Sequence, residues 1–179
     1  MITKSEQETH DFARNYASTL PSFAIIALEG ELGAGKTCFV RGLCEGLGGD
    51  PRQVNSPTFT IMQEYEVANG KRLVHIDAYR LTGEDELETI GWDELLQDRD
   101  AIIAIEWASK IKIAIPHDHL SIEIEHIDWQ PNRIEPKQTA QLHLRKYPQT
   151  ARASSAYASP QTPKYLSYVA KSNRCHRNR

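Results

Sequence analysis

The sequence predicts an α/β fold, three layers deep, with a mixed and mostly parallel central sheet. Three observations predict it. Phe23-Ala24-Ile25-Ile26-Ala27-Leu28 is an unbroken apolar run, the pattern of a strand covered on both faces rather than one. A glycine-rich turn, Gly30 to Gly35, follows at once, and Thr37 to Leu47 then places Val40, Leu43, Cys44 and Leu47 on one helical face. A second buried run, Ala101-Ile102-Ile103-Ala104-Ile105, closes on the carboxylate of Glu106. Buried strands separated by amphipathic helices are the pattern of a parallel sheet sandwiched between helical layers.

The remaining elements follow in chain order. Ser5-x-x-Glu8 reads as a capping box, and Phe12, Ala13, Tyr16, Ala17 and Leu20 recur at helical spacing. A first helix from about Ser5 to Leu20 is expected. Gly48-Gly49 stops the second helix. Asn55-Ser56-Pro57-Thr58 is a loop. Phe59–Val67 and Arg72–Asp77 read as two strands joined by Asn69-Gly70, a hairpin signal. Glu84 to Leu96 is acidic and helix-prone. Leu120, Ile122 and Ile124 alternate with Ser121, Glu123 and Glu125, as in a half-exposed strand, and Ala140, Leu142 and Leu144 repeat the pattern. Periodicity ends near Pro148. Residues 1–148 are therefore expected to form one domain, and residues 149–179 a basic, disordered tail.

Composition narrows the function classes. About 40% of the residues are hydrophobic, enough for one ordinary core. Eight Lys and Arg fall between Arg145 and Arg179, with no Asp or Glu among them. With those set aside, the formal charge of −3 becomes −11 for residues 1–144. A body this acidic opposes non-specific nucleic-acid binding, which needs clustered cations. Cys38, Cys44 and Cys175 are too scattered for a disulfide framework. No apolar run reaches spanning length and the amino terminus lacks a signal-peptide core, so a cytoplasmic protein without a membrane segment is expected.

Gly30-Glu31-Leu32-Gly33-Ala34-Gly35-Lys36-Thr37 fits G-x-x-x-x-G-K-[ST] without a mismatch, which makes the expected fold that of a P-loop NTPase. Each position has a physical reason. The glycines let successive backbone N–H groups turn toward a phosphate. The helix that starts there adds the positive end of its dipole. Lys36 is placed to reach the β- and γ-phosphates, and the Thr37 hydroxyl to ligate Mg²⁺. The context is the required one, a buried strand running in and an amphipathic helix running out.

Such a site needs a carboxylate at a strand end to hold the metal or orient the attacking water. Glu106 and Asp77 each follow an apolar strand, at the end where ligands bind in open α/β sheets. Glu106 follows the more apolar one and is the favoured metal acid. Asp77 is then the candidate for water activation or indirect metal contact. The loop containing Ser56 and Thr58 occupies the place of a switch that senses the γ-phosphate. His117-x-His119 reads as a solvated loop, His75 as a packed strand residue, and Trp92, Trp107 and Trp129 as packing, with Trp107 notable for adjoining Glu106. Arg80 and Arg133 are weaker candidates for phosphate contact.

Together the phosphate loop, Ser56-Pro57-Thr58-Phe59-Thr60, His75-Ile76-Asp77-Ala78-Tyr79-Arg80-Leu81 and Ile105-Glu106-Trp107 resemble the TsaE (YjeE) family over residues 1 to 145. The resemblance implies a weak ATPase that joins the TsaB–TsaD pair. That pair makes N6-threonylcarbamoyladenosine at position 37 of tRNAs reading ANN codons, and the ATPase meets tRNA only through the complex, its ATP cycle resetting the transferase. It further implies that Gly33, Ala34, Gly35, Lys36, Thr37 and Cys38 hold the phosphates and that Thr37 and Glu106 ligate Mg²⁺. Asp77 would serve hydrolysis, with Lys36 and Glu106 as its catalytic companions. Ser56 and Thr58 would form the switch, and Ser5 and Glu6 would lie near the adenine. Cys38 replaces a threonine common in such proteins, and the tail has no counterpart in them.

Two other readings compete. A small-molecule kinase would use the same loop, but residues 84–100 are acidic where an arginine-rich lid is expected. A nucleotide-gated binding module would bind ATP without needing turnover.

Overall fold

A computed structural model describes residues 1–82, 84–126 and 140–146. Trp129, Arg133, Cys175 and the expected tail 149–179 with its boundary lie outside the described residues. The elements are β1 (Ile2–Thr3), α1 (Glu6–Ala17), β2 (Ala24–Glu29), α2 (Lys36–Gly46), β3 (Met62–Glu66), β4 (Arg72–Asp77), α3 (Trp92–Gln97), β5 (Ala101–Glu106), β6 (Leu120–His126) and β7 (Ala140–Lys146). They build a 7-stranded sheet in the order β1-β7-β6-β2-β5-β4-β3. The centre, β6-β2-β5-β4, is parallel. The flanks, β3 on one side and β7 and β1 on the other, run antiparallel. The mixed sheet expected from the sequence is the one observed, parallel through its centre.

The unbroken apolar runs exist because both faces of the sheet are covered. Ile26 and Leu28 of β2 pack with Ile102 and Ala104 of β5 against Ala13 and Ala17 of α1 and Phe39, Val40 and Leu43 of α2. Ile25 and Ala27, one position out of phase, pack with Ile103 and Ile105 against Leu87, Trp92, Leu95 and Ile111. The period of two along each strand therefore feeds two cores. Each fully buried Ile or Leu contributes roughly 1.5–3 kcal/mol relative to exposure.

α1 begins where the capping box places it: Ser5 Oγ accepts the Glu8 N–H at 3.1 Å and Glu8 Oε2 accepts the Lys4 N–H at 2.8 Å. It lies close against α2. A Cβ on Gly42 would overlap the His10 carbonyl oxygen, and one on Gly46 the Arg14 carbonyl. These glycines are set by backbone proximity between helices.

The Asn69-Gly70 hairpin forms as expected, with φ of 64° and 70° at its tip and Met62 to Glu66 paired with Ile76 to Arg72. Its first strand starts later than the sequence suggests. Thr60 and Ile61 donate their N–H groups to the Pro57 carbonyl at 3.0 and 2.6 Å, so residues 57–61 turn instead of extending. The single helix expected over Glu84–Leu96 is not continuous. Glu84–Ile90 is a 3₁₀ segment, Gly91 breaks it at φ 67°, and α3 starts at Trp92. Among the described residues there, only Leu87, Trp92 and Leu95 are deeply buried, too few apolar positions to hold a longer amphipathic helix on the sheet.

Candidate functional site

β2 delivers the chain to the carboxyl end of the sheet, and the phosphate loop turns there. Gly30 adopts φ 144°, and a Cβ on it would overlap the Ile124 carbonyl oxygen of β6. Gly35 adopts φ 107° as the residue capping α2. Both conformations favour glycine. The first helical bond is Phe39 N–H to the Gly35 carbonyl at 2.9 Å. The N–H groups of Lys36, Thr37 and Cys38 thus precede the helical ladder and stay available to an anion.

Lys36 is 4% exposed. Its Nζ donates to the Gly30 carbonyl at 2.7 Å and the Glu31 carbonyl at 2.9 Å, and lies 3.9 Å from the centre of the Trp107 ring. Burial lowers its pKa, while the charges of Glu106, Asp77 and Glu29 oppose that shift. The ammonium is therefore parked on the loop's own carbonyls.

Strand alternation brings the acids to it. Leu73, His75 and Asp77 share one face of β4, as Ile102, Ala104 and Glu106 share one of β5, and both face α2. Glu106 Oε1 accepts from the Thr37 hydroxyl at 2.7 Å and lies 2.8 Å from His75 Nε2. Asp77 Oδ2 accepts from the hydroxyls of Ser56 at 3.1 Å and Thr58 at 2.5 Å, and its Oδ1 accepts the Tyr79 N–H at 3.0 Å. The two hydroxyls of the loop are also 2.7 Å from each other.

Lys36, Thr37, Ser56, Thr58, Asp77, Glu106 and Trp107 line one cavity of about 380 Å³ with Gly33, Ala34, Gly35, Cys38 and Glu6 on its wall, and His75 lies behind Glu106, off the wall. Of the residues expected near a base, Glu6 lines the cavity, whereas Ser5 caps α1. The Cys38 thiol donates to the Glu6 carbonyl at 3.2 Å. Burial pushes its pKa up to about 11, aided by the charge of Glu6. Arg80 stacks its guanidinium over Phe59, 4.3 Å from the ring centre, and is not on the cavity wall. His117 is exposed and His119 lies 2.6 Å from the Pro116 carbonyl, both away from the site.

Three residues at the site carry more than the sequence suggests. His75 packs in its strand as expected, but also contacts Glu106. The available signal was parity, since His75 sits two positions before Asp77 on the same strand face. Trp107 turns out to cover Lys36. Arg41, one helical turn beyond Thr37, pairs with Glu6 at 3.5 Å on the cavity wall.

The oxygen set of Thr37, Glu106 and Asp77 suits a hard cation that keeps several waters, as Mg²⁺ does with one or two carboxylates. Among the described residues no group of three or more His, Cys, Asp or Glu is placed to hold a metal ion.

The family model described as "Threonylcarbamoyl adenosine biosynthesis protein TsaE" matches residues 3–135. The chain belongs to the TsaE family. Among relatives, the tRNA threonylcarbamoyladenosine biosynthesis protein TsaE of Aquifex aeolicus is 39% identical over 135 residues, covering 75% of this chain and 92% of its own. The protein of the same name from Bacillus subtilis is 42% identical over 123 residues, covering 69% and 75%. The crystal structure of YdiB from Bacillus subtilis superposes with a TM-score of 0.59 at 29% identity, over 79% of this chain and 80% of that one. The TsaE match takes in the phosphate loop, both acids and the Ser56–Thr58 loop.

Proposed function

We propose that this TsaE family member is an accessory Mg²⁺-dependent ATPase for the synthesis of threonylcarbamoyladenosine in tRNA. The observation that carries the reading is the convergence of Thr37, Glu106 and Asp77 at the mouth of the phosphate loop. The loop N–H groups bind the phosphates. Lys36 exchanges two carbonyls for β- and γ-phosphate oxygens. Thr37 and Glu106 hold Mg²⁺, which when bound neutralises charge on the transferred phosphoryl group. Asp77 orients a water for in-line attack. The water oxygen bonds to the γ-phosphorus as its proton passes to the Asp77 carboxylate, the bond to the β–γ bridging oxygen breaks, and ADP and phosphate leave. Ser56 and Thr58, bonded to Asp77, report the γ-phosphate to the loop they sit on.

ATP over GTP rests on family membership, the sequence itself offering no Asn-Lys-x-Asp guanine-reading motif. Family membership supports a TsaB–TsaD pair as the partner, with turnover of that transferase as the purpose of the ATP cycle. The acidic body supports contact with tRNA through the complex rather than directly. No helix among the described residues is long and apolar enough to cross a membrane, which accords with a cytoplasmic setting. The acidic segment around α3 weighs against a kinase lid.

The test is ATP hydrolysis by the purified chain, alone and with TsaB and TsaD, with and without Mg²⁺. Weak Mg²⁺-dependent turnover that rises with the pair is expected. Intact ATP binding with no response to the pair would overturn the accessory role and favour the kinase reading.

A further inference from the structure

His75 is 0% exposed on a central strand, a place where an apolar residue would pack without polar cost. Its Nε2 lies 2.8 Å from Glu106 Oε1, while its Nδ1 is buried with no hydrogen-bond partner among the described residues. A carboxylate oxygen only accepts, so Nε2 carries the proton and donates. The orphaned Nδ1 is then a cost that the ring bears, and Nε2 is the part of it that acts on the site. Both hydrogen bonds that Glu106 receives, from Thr37 and from His75, fall on Oε1. Oε2 is left for a cation. The imidazole is itself held from the side by Tyr65, 6.4 Å away centre to centre, whose hydroxyl donates to Gln63 Oε1 at 2.6 Å.

We propose that His75 is a positioning residue for the metal site, fixing the Glu106 carboxylate through Oε1 so that Oε2 is presented to Mg²⁺. This rests on the Mg²⁺–ATP reading above. A Thr37 hydroxyl that gives a lone pair to the metal can still donate its proton to Oε1. The His75 bond, which comes from inside the sheet, is the tie on that oxygen that does not depend on a ligand to the metal. Partners of this kind typically change metal affinity 10- to 100-fold.

The experiment measures binding of a fluorescent, non-hydrolysable ATP analogue across a Mg²⁺ titration and in EDTA, for the wild type, His75→Leu and His75→Gln. The wild type binds more tightly as Mg²⁺ rises. His75→Leu is expected to need about 10- to 100-fold more Mg²⁺ for the same gain, with affinity in EDTA unchanged. His75→Gln, whose amide nitrogen donates from near the position of Nε2, is expected to recover most of the difference. A Leu variant with wild-type Mg²⁺ dependence, or with equal losses in EDTA and in Mg²⁺, overturns the inference. A wild type whose binding ignores Mg²⁺ overturns the metal reading itself, a result distinct from either. Should His75→Leu fail to fold, nitrogen-15 spectra of the wild-type imidazole decide: a proton on Nε2 supports the inference, and one on Nδ1 alone overturns it.

Discussion

Asp77 and Glu106 are register partners in the parallel β4–β5 ladder. Two carboxylates from distant parts of the sequence thus stand side by side at the carboxyl end of the sheet, both almost fully buried. Their neighbours differ. Glu106 is bonded to Thr37 and His75, and Asp77 to Ser56 and Thr58. In the function proposed above, the acid tied to the phosphate-loop threonine holds the metal, and the acid tied to the Ser56 and Thr58 hydroxyls orients the attacking water.

That division predicts different phenotypes. Asp77→Asn keeps the acceptor for Tyr79 N–H but loses the charge. It should bind ATP within a few-fold of wild type, and its hydrolysis should fall by about 10²–10⁴, the usual loss of a general base. Glu106→Gln should weaken binding mainly when Mg²⁺ is present. Single-turnover hydrolysis alongside equilibrium binding separates the two. Surviving turnover in Asp77→Asn would remove that residue from the chemistry.

Lys36→Ala should abolish tight triphosphate binding while the fold survives. Truncating one partner of a buried charge contact costs about 2–5 kcal/mol, or roughly 30-fold to several thousand-fold in affinity. Lys36 itself lines the cavity, so water can take the place of its ammonium on the Gly30 and Glu31 carbonyls. Calorimetric titration with ATP and a near-ultraviolet dichroism spectrum check both halves. Unchanged affinity in a folded variant would disprove the site.

Much of this was legible in the sequence because the sheet is buried on both faces. Apolar runs such as Ile25–Leu28 and Ile102–Ile105 have one structural explanation, and a glycine-rich turn after the first points to one ligand class. Parity along β4 and β5 then puts Asp77 and Glu106 on one face. What was not legible depends on contacts between segments. His75 reads as packing until Glu106 is placed beside it. The Glu84–Leu96 helix looks continuous by propensity, but Gly91 adopts a left-handed turn and the sheet offers few apolar partners there.

Gly42 gives a prediction that runs against propensity. In an exposed helix, Gly→Ala gains about 1 kcal/mol. Here the new methyl would meet the His10 carbonyl and the Ala13 side chain of α1. Overpacking of this kind costs about 1–3 kcal/mol or more, and backbone cannot rotate away as a side chain can. Gly42→Ala should therefore lower the melting temperature by several degrees. A thermal melt showing stabilisation would mean that α1 and α2 sit farther apart than described.

The thiols at the heart of α2 give a pH prediction. Burial pushes both Cys38 and Cys44 from 9.0 up to about 11. At about pH 8 their thiolate fraction is then about 100-fold below that of an ordinary thiol, and the thiolate is the reactive form. In a Cys175→Ser background, native protein should alkylate slowly at both sites and unfolded protein quickly. The same shift sets a direction for stability. Between about pH 9 and about 11 the folded chain keeps protons that the unfolded chain has released, so the unfolded state binds fewer and unfolding becomes easier as pH rises. Below pH 9 the contribution is fully present. Replacing both cysteines by alanine should flatten the fall in urea midpoint across that window, whatever it does at neutral pH. Rapid alkylation of Cys38 in the native protein would show instead that the nucleotide-side end of α2 opens, and that its thiol is not packed against Glu6 as found.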